Sequence, residues 1–245
     1  LGLAFPSSYL DAIPQTLKDL ETTLSEELRV ESSDRAAPIT WLAGAWLARS
    51  TDGESSLTAA VNPAVQALYD GYSRFTASTI QTDVFGQIEF RIAGPLRGDA
   101  GVRIGHDRYD TTAHASGPLY SGAPPVFAGH ADATPVTPRF ALTYTAAEHG
   151  VFYLSASKGY RLGGVNPPAY AASAACAIAH PDSYGSDDVW GFEAGAKAQS
   201  KGGGLQADAA IFHTTWHDIQ QIHFTTCRET LLANAGSAVS DGFDL

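Results

Sequence analysis

Three histidines, His213, His217 and His223, lie close together near the end of the chain, and imidazole is the commonest metal ligand among side chains. His213 and His217 share strand parity. Four residues of extended chain, however, part their Cα atoms by roughly 13 Å, too far to share one ion without a bulge. The pairs His106-Asp107 and His217-Asp218 read as ordinary strand-end residues, and Arg97-Gly98-Asp99 reads as a tight turn. The chain has no Gly-x-Ser-x-Gly elbow, phosphate loop, zinc spacing or paired-cysteine motif. Neither an enzyme nor a metal site is expected. Cys176 and Cys227 both fall in long connections. Two readings stay open for them: a disulfide formed on an oxidising side, or two unrelated thiols.

Those connections follow a rule. Between strand-like runs they are short (Ser32 to Pro38), long (Ser50 to Ser78), short (Ala93 to Gly98) and long (Asp110 to Thr137). The order then repeats: short (Ala146 to Gly150), long (Gly163 to Asp188), short (Ser200 to Gly204) and long (Ile222 to Ala235). Antiparallel strands joined this way put every tight turn at one end and every long loop at the other, which is the pattern of bacterial outer-membrane barrels. The expected fold is all-β: a partial antiparallel transmembrane β-barrel of about ten strands spanning residues 1–245.

Composition agrees with that class. Charged residues make up 17% of the 245 residues, against roughly 25% in soluble domains. No apolar run approaches the ~20 residues of a membrane helix, so any spanning falls to strands. A net charge of −11 argues against nucleic acid or an anionic inner-leaflet surface as partner. There is no Met, the chain opens on Leu1, and no signal peptide is visible. The expectation is a processed chain or an internal fragment.

Periodicity predicts the individual elements. Ile13, Leu17, Leu20 and Leu24, with Pro14 in the first turn, suit a short amphipathic helix over residues 8–24. Leu24, Leu28 and Val30 then oppose Glu27, Arg29 and Glu31 with period two, a strand, and a turn holding Asp34 and Pro38 follows. A surface helix is expected over 62–75, started by Asn62 and Pro63. Strands are expected at 79–92 and 99–109, a loop over 111–137, and strands at 138–145 and 150–161. In residues 205–216, Leu205, Ala207, Ala209 and Ile211 face one side while Gln206 and Asp208 face the other.

From Pro138 onward five motifs follow in order: PRFALTY, VFYLSASKGYRLGGVNPP, DDVWGFEAGAKAQ, LQADAAIFHTTWHDIQQ and NAGSAVSDGFDL. The series resembles the C-terminal half of a TonB-dependent outer-membrane receptor barrel of the siderophore-receptor type. The matching positions are Tyr153, Ser155, Ser157, Lys158, Gly159, Tyr160, Arg161, Gly163, Gly164 and Asn166. They continue through Trp190, Glu193, Gly195 and Lys197, then Trp216, Asp218 and Gln220, and end at Asn234, Ala235, Gly236, Ser240 and Gly242. Upstream, EELRVES, TWLAGAW, TDVFGQIEF and GVRIGHDRYD look like earlier strands of the same family, so the resemblance covers roughly residues 24 to 245.

The resemblance implies a fragment of a transporter in the outer membrane of a Gram-negative bacterium. It would take up a scarce nutrient, most often a ferric siderophore, driven by the TonB complex. Its partners would be outer-membrane lipid, TonB through a plug region, and the ligand. Iron arrives inside the ligand, so no resident cofactor is implied. A lysine against lipid at the midplane costs about 2–4 kcal/mol, which places Glu27, Arg29, Glu193 and Lys197 in the lumen. Tyr153, Tyr160, Trp190 and Trp216 are candidates for the interfacial girdles, and a lumen accommodates tyrosine equally easily. For ligand contact the resemblance favours Tyr160, Arg161 and Asn166, where a guanidinium and an amide can hold an anionic ferric chelate. The alternative is that Arg161 pairs with a lumenal carboxylate.

The chain departs from the family in three ways. It has Asp187 and Asp188 where the family usually has Glu, nothing resembling a plug domain, and an end inside the NAG strand. The family closes its barrel with 22 strands, against about ten here. The rival readings are a passive porin-like barrel and a soluble secreted β-sandwich binding module.

Overall fold

The computed structural model describes residues 15–34, 36–58, 71–118, 126–146, 150–166, 182–200, 204–224 and 230–245. Among them are fourteen strands and no α-helix: β1 (Gln15–Glu31), β2 (Ile39–Thr58), β3 (Gly71–Ala93), β4 (Leu96–Ser116), β5 (Val126–Ala133), β6 (Val136–Thr145) and β7 (Val151–Arg161), then β8 (Gly164–Val165), β9 (Ser183–Tyr184), β10 (Asp187–Gln199), β11 (Gln206–His217), β12 (Gln220–Phe224), β13 (Thr230–Asn234) and β14 (Ser237–Asp244). Ten strands form one open antiparallel sheet in the order β1-β2-β3-β4-β6-β7-β10-β11-β14, with β5 also paired to β4. This is the all-β sheet expected from the connection pattern, and partial as the resemblance implied.

β5 and β6 act as one strand along β4. Ala133 opposes Asp107 and Val136 opposes Ile104 in a single frame. Between them Pro135, which has no N–H to donate, still accepts from the Gly105 amide at 2.9 Å. β6 pairs with β7 only as far as Arg139↔Ser157. Above that point β4 continues with β5 while β7 continues with β10 alone. A seam therefore opens in the wall between β5 and the end of β7.

The register sorts side chains onto two faces. One carries Leu28, Ala45, Val84, Ile104 and Val136, residues that oppose one another across five strands. It continues through Phe140, Leu142, Leu154, Phe192 and Ile211, most of them strongly exposed. For eight to ten residues above each short turn, this face of β2, β3, β4, β6, β7, β10 and β11 carries no charge, until Arg49, His106, Lys158 and His213. Glu26 on β1 is the exception. About ten residues at roughly 3.3 Å each, tilted about 40°, rise roughly 25 Å.

The opposite face is polar. Glu27 pairs with Arg29 at 2.6 Å, Glu89 with Arg97 at 2.7 Å, and Asp83 with Arg103 at 2.5 Å. Asp99 accepts from Gln87 at 2.5 Å and lies 3.4 Å from Arg139. Glu193 accepts from the Tyr153 hydroxyl. Tyr153 lies flat over Gly195, where an added Cβ would sit 2.5 Å from the ring. The exposed pairs among them, Glu27–Arg29 and Glu89–Arg97, contribute about 0–1 kcal/mol each; Asp83 is buried.

Several expectations are corrected. Residues 15–24 are strand, not helix: Leu20, Leu24 and Leu28 are four apart, a spacing that fits both periods, and pairing with Gly53, Arg49 and Ala45 settles it. Pro14 and Ile13 lie outside the described residues. Of the expected helix at 62–75, the described part, Gly71 to Phe75, belongs to β3. The connections at 50–78 and 111–137 are much shorter than expected, because β2, β3 and β4 run on to Thr58, Gly71 and Ser116 and β5 occupies 126–133. Ser/Thr-rich segments with both faces wet pair through their backbones without the alternation that marks a strand. Arg97, Gly98 and Asp99 lie in β4, and the turn is Gly94-Pro95, with Gly94 at φ 51°. Asp107 is no strand-end residue: it sits within β4, fully buried.

Candidate functional site: a clasp at the long-loop end

β7 ends at Arg161 and β10 begins at Asp187, and the register sets these two residues opposite each other. The Arg161 guanidinium grips the carboxylate through Nε, at 3.0 and 3.1 Å, and through Nη2. The same guanidinium lies 4.7 Å above the Trp216 ring, which adds a cation–π contact. Trp216 Nε1 donates to Asp187 at 3.0 Å, and the Gln220 amide donates at 3.1 Å. Asp187 is 2% exposed, so these donors replace the water it has lost.

The polar side chains of the motifs extend the clasp. Gln220 Nε2 donates to the carbonyls of Leu162 and Gly185 at 2.9 and 3.0 Å. Asn166, 4% exposed, exchanges two hydrogen bonds with the Leu232 backbone at 2.8 and 2.9 Å. Asn234 donates to Gly185 and Asp218 carbonyls at 3.1 and 2.7 Å and accepts from the Gly185 amide at 2.6 Å. Any Cβ on Gly163 would run into the Tyr184 carbonyl oxygen, so only glycine lets the chain pass here. The two-stranded pieces β8–β9 and β12–β13 are thereby tied to the ends of β7, β10 and β11.

Burial pushes the Asp187 carboxyl up, but donors from Arg161, Gln220 and Trp216 outweigh it and hold it below the usual carboxylate range. Asp187 lies above the uncharged band, on the wet side of it. A depressed folded pKa stabilises the clasp above the unfolded value and loses that contribution as pH falls through the folded one. Acidification below about pH 4 is therefore expected to loosen residues 163–166 and the β12–β13 hairpin. Hydrogen exchange at pH 7 and pH 3 checks this, and Asp187→Asn should flatten the difference.

A second polar cluster lies beside the seam. Asp107 accepts from the Tyr160 hydroxyl, and Arg103 joins Asp83 while lying 5.9 Å above the Trp46 ring. The three residues expected to contact ligand thus all have partners within the chain: Tyr160 holds Asp107, Arg161 holds Asp187, and Asn166 holds Leu232. Arg161 forms the carboxylate pair of its second reading, with Asp187. Sequence reasoning missed Asp107, Asp83 and Arg103, because an isolated Asp in a strand gives no sign of its burial.

Among the girdle candidates, Trp190 lies on the apolar face, stacked on Phe192 at 5.9 Å. Tyr153 and Trp216 belong instead to the polar face, and Tyr160 turns its hydroxyl to Asp107. Glu27, Arg29, Glu193 and Lys197 share the polar face by register. His213 pairs with Asp241 at 2.6 Å and His217 with Asp188 at 3.6 Å, two separate contacts. Cys176 and Cys227 lie outside the described residues.

Residues 6–245 match the family described as TonB dependent receptor-like, beta-barrel. No curated protein matches the chain. Among solved structures, the chain is similar to the ferric yersiniabactin uptake receptor FyuA from Yersinia pestis, with TM-score 0.73 and 18% identity over 95% of this chain and 33% of that one. The siderophore receptor PiuA from Acinetobacter baumannii gives TM-score 0.68 and 15% identity over 93% and 35%. The alcaligin outer membrane receptor FauA from Bordetella pertussis gives 0.58 and 15% over 95% and 36%. At these identities the likeness is one of fold, and the chain spans about a third of each structure.

Proposed function

We propose that this chain, which belongs to the TonB-dependent receptor-like β-barrel family, forms part of the wall of an active transporter in the outer membrane of a Gram-negative bacterium. The carrying observation is the uncharged band, of bilayer height, on one face of a sheet whose other face is charged. The apolar face meets lipid and the polar face lines the lumen. The short turns then lie on the periplasmic side, and the clasp stands at the extracellular mouth.

The substrate in this reading is a ferric siderophore, and uptake is coupled to TonB. The similar structures include one named as a siderophore receptor, one as a ferric yersiniabactin uptake receptor and one as an alcaligin receptor. The chain acts as a transporter, not an enzyme. Tyr160, Arg161 and Asn166 position the loops that hold the ligand, since each already has an internal partner.

The test is uptake of radiolabelled ferric siderophores by cells expressing the receptor that contains this chain, with and without TonB. Uptake that needs TonB is expected. Uptake that persists without TonB would mean a passive porin, and a protein that stays dispersed without detergent would mean a soluble sandwich.

A further inference from the structure

Asp107 is fully buried, at 0% exposure. It stands in β4 between Gln81 on β3 and Ala133 on β5, both uncharged. Its Oδ2 accepts from the Tyr160 hydroxyl, while its Oδ1 has no hydrogen-bond partner among the described residues. Carried three residues further, the β6–β7 register would set Tyr160 against Val136. The ladder stops short of that, and Tyr160 crosses the seam to β4 instead.

A second carboxylate lies on the same face. Asp83 opposes Gly105, two residues from Asp107, and is 2% exposed. Any Cβ on Gly105 would run into Asp83 Oδ1, so glycine there lets this carboxylate lie over β4. Arg103, half-exposed, sits 2.5 Å from Asp83 Oδ2. His106 belongs to the apolar face by register. Among the described residues, two buried carboxylates thus share one guanidinium, and one negative charge is left over. A buried charge without a counter-ion takes up a proton instead.

We propose that Asp107 is a proton-binding latch across the seam. A proton on Oδ1 keeps the carboxyl buried, with Oδ2 holding Tyr160. When that proton leaves for solution, the carboxylate needs water, and water reaches it only as Tyr160 lets go. Asp107 is thereby a positioning residue for Tyr160, the neighbour of Arg161 in the clasp. The inference goes beyond the transport reading and does not depend on it.

Asp107 lies above the uncharged band, one residue past His106. Burial pushes its carboxyl above the usual range; the Tyr160 hydroxyl pulls it back, Asp83 adds to the rise, and Arg103 and His106 oppose it. A raised folded value gives a contribution that is full below the unfolded value of about 4. That contribution is lost as pH rises through the folded value. The sign is opposite to that of Asp187: acid tightens the seam while it loosens the clasp.

The test is hydrogen exchange of the detergent-purified receptor containing this chain, from pH 4 to pH 8, each rate divided by that of an unstructured chain at the same pH. In the wild type, protection of residues 126–133 and 158–161 should fall about tenfold as pH rises, the effect of a one-unit shift. Asp107→Asn keeps an acceptor for Tyr160 without the charge, and should stay protected throughout. Tyr160→Phe should be poorly protected at every pH. Asp187→Asn should leave the seam response in place. A wild type without the response overturns the latch, and so does a response that survives in Asp107→Asn or vanishes in Asp187→Asn. A heat-dependent shift in gel mobility reports that each variant is folded. Should Asp107→Asn not fold, Tyr160→Phe decides, since a response that persists in it overturns the latch equally.

Discussion

Leu154→Arg is expected to cost the folded wall about 2–4 kcal/mol, while Ser155→Arg, one residue along, costs roughly 0.5 kcal/mol or less. Leu154 is 55% exposed on the apolar face, between Leu142 and Ala194. It stands near mid-height of the uncharged band, where, in the membrane-wall reading proposed above, a guanidinium would have to shed its water into hydrocarbon. Ser155 points to the polar face, between Ala141 and Glu193, where an added cation finds a carboxylate and water. Urea unfolding of the receptor refolded into phosphatidylcholine vesicles reads both costs. Equal costs would sink the assignment of faces.

Asp187→Ala is expected to release the loops without unfolding the wall. Removing the carboxylate leaves Arg161, Trp216 Nε1 and the Gln220 amide without their shared acceptor. A hydrogen bond to a charged group contributes about 1.5–3 kcal/mol, which corresponds to a roughly ten- to hundredfold rise in local opening. Limited proteolysis within residues 163–166, 182–186, 218–224 and 230–236 should quicken by that factor, while heat-dependent gel mobility stays unchanged. Cleavage at the wild-type rate would show that the loops are held by other contacts.

The wall was legible because an apolar face backed by a polar one leaves a simple mark. Residues such as Leu28, Val84, Ile104 and Leu154 alternate with Arg29, Asp83, Arg103 and Ser155, and sorted connections supplied the topology. Where both faces are wet, as in Thr51–Thr58 or Asp110–Ser116, that mark disappears and strand was read as loop. Leu20, Leu24 and Leu28 misled for the opposite reason, since a spacing of four satisfies two periods at once. The motif residues from Tyr160 to Asn234 stood out as a series in the sequence, but the partners that Arg161, Asn166, Gln220 and Asn234 find in the structure did not. Asp187, Gln220 and Asn234 are far apart in sequence, and no local pattern says that they meet.

The seam above Arg139↔Ser157 has a mechanical consequence. Everywhere else the large sheet is stitched by continuous backbone ladders, which resist shear because any slip breaks many bonds together. Across the seam, among the described residues, side chains make the join: Tyr160 reaches Asp107, and Val165 of β8 rests on Gly129 of β5. The upper halves of β1 to β5 can therefore lean away from β7 to β14 at the cost of one hydroxyl contact and a patch of packing. The molecule has a stiff skirt below and a compliant collar above, and the joint in that collar lies beside the clasp.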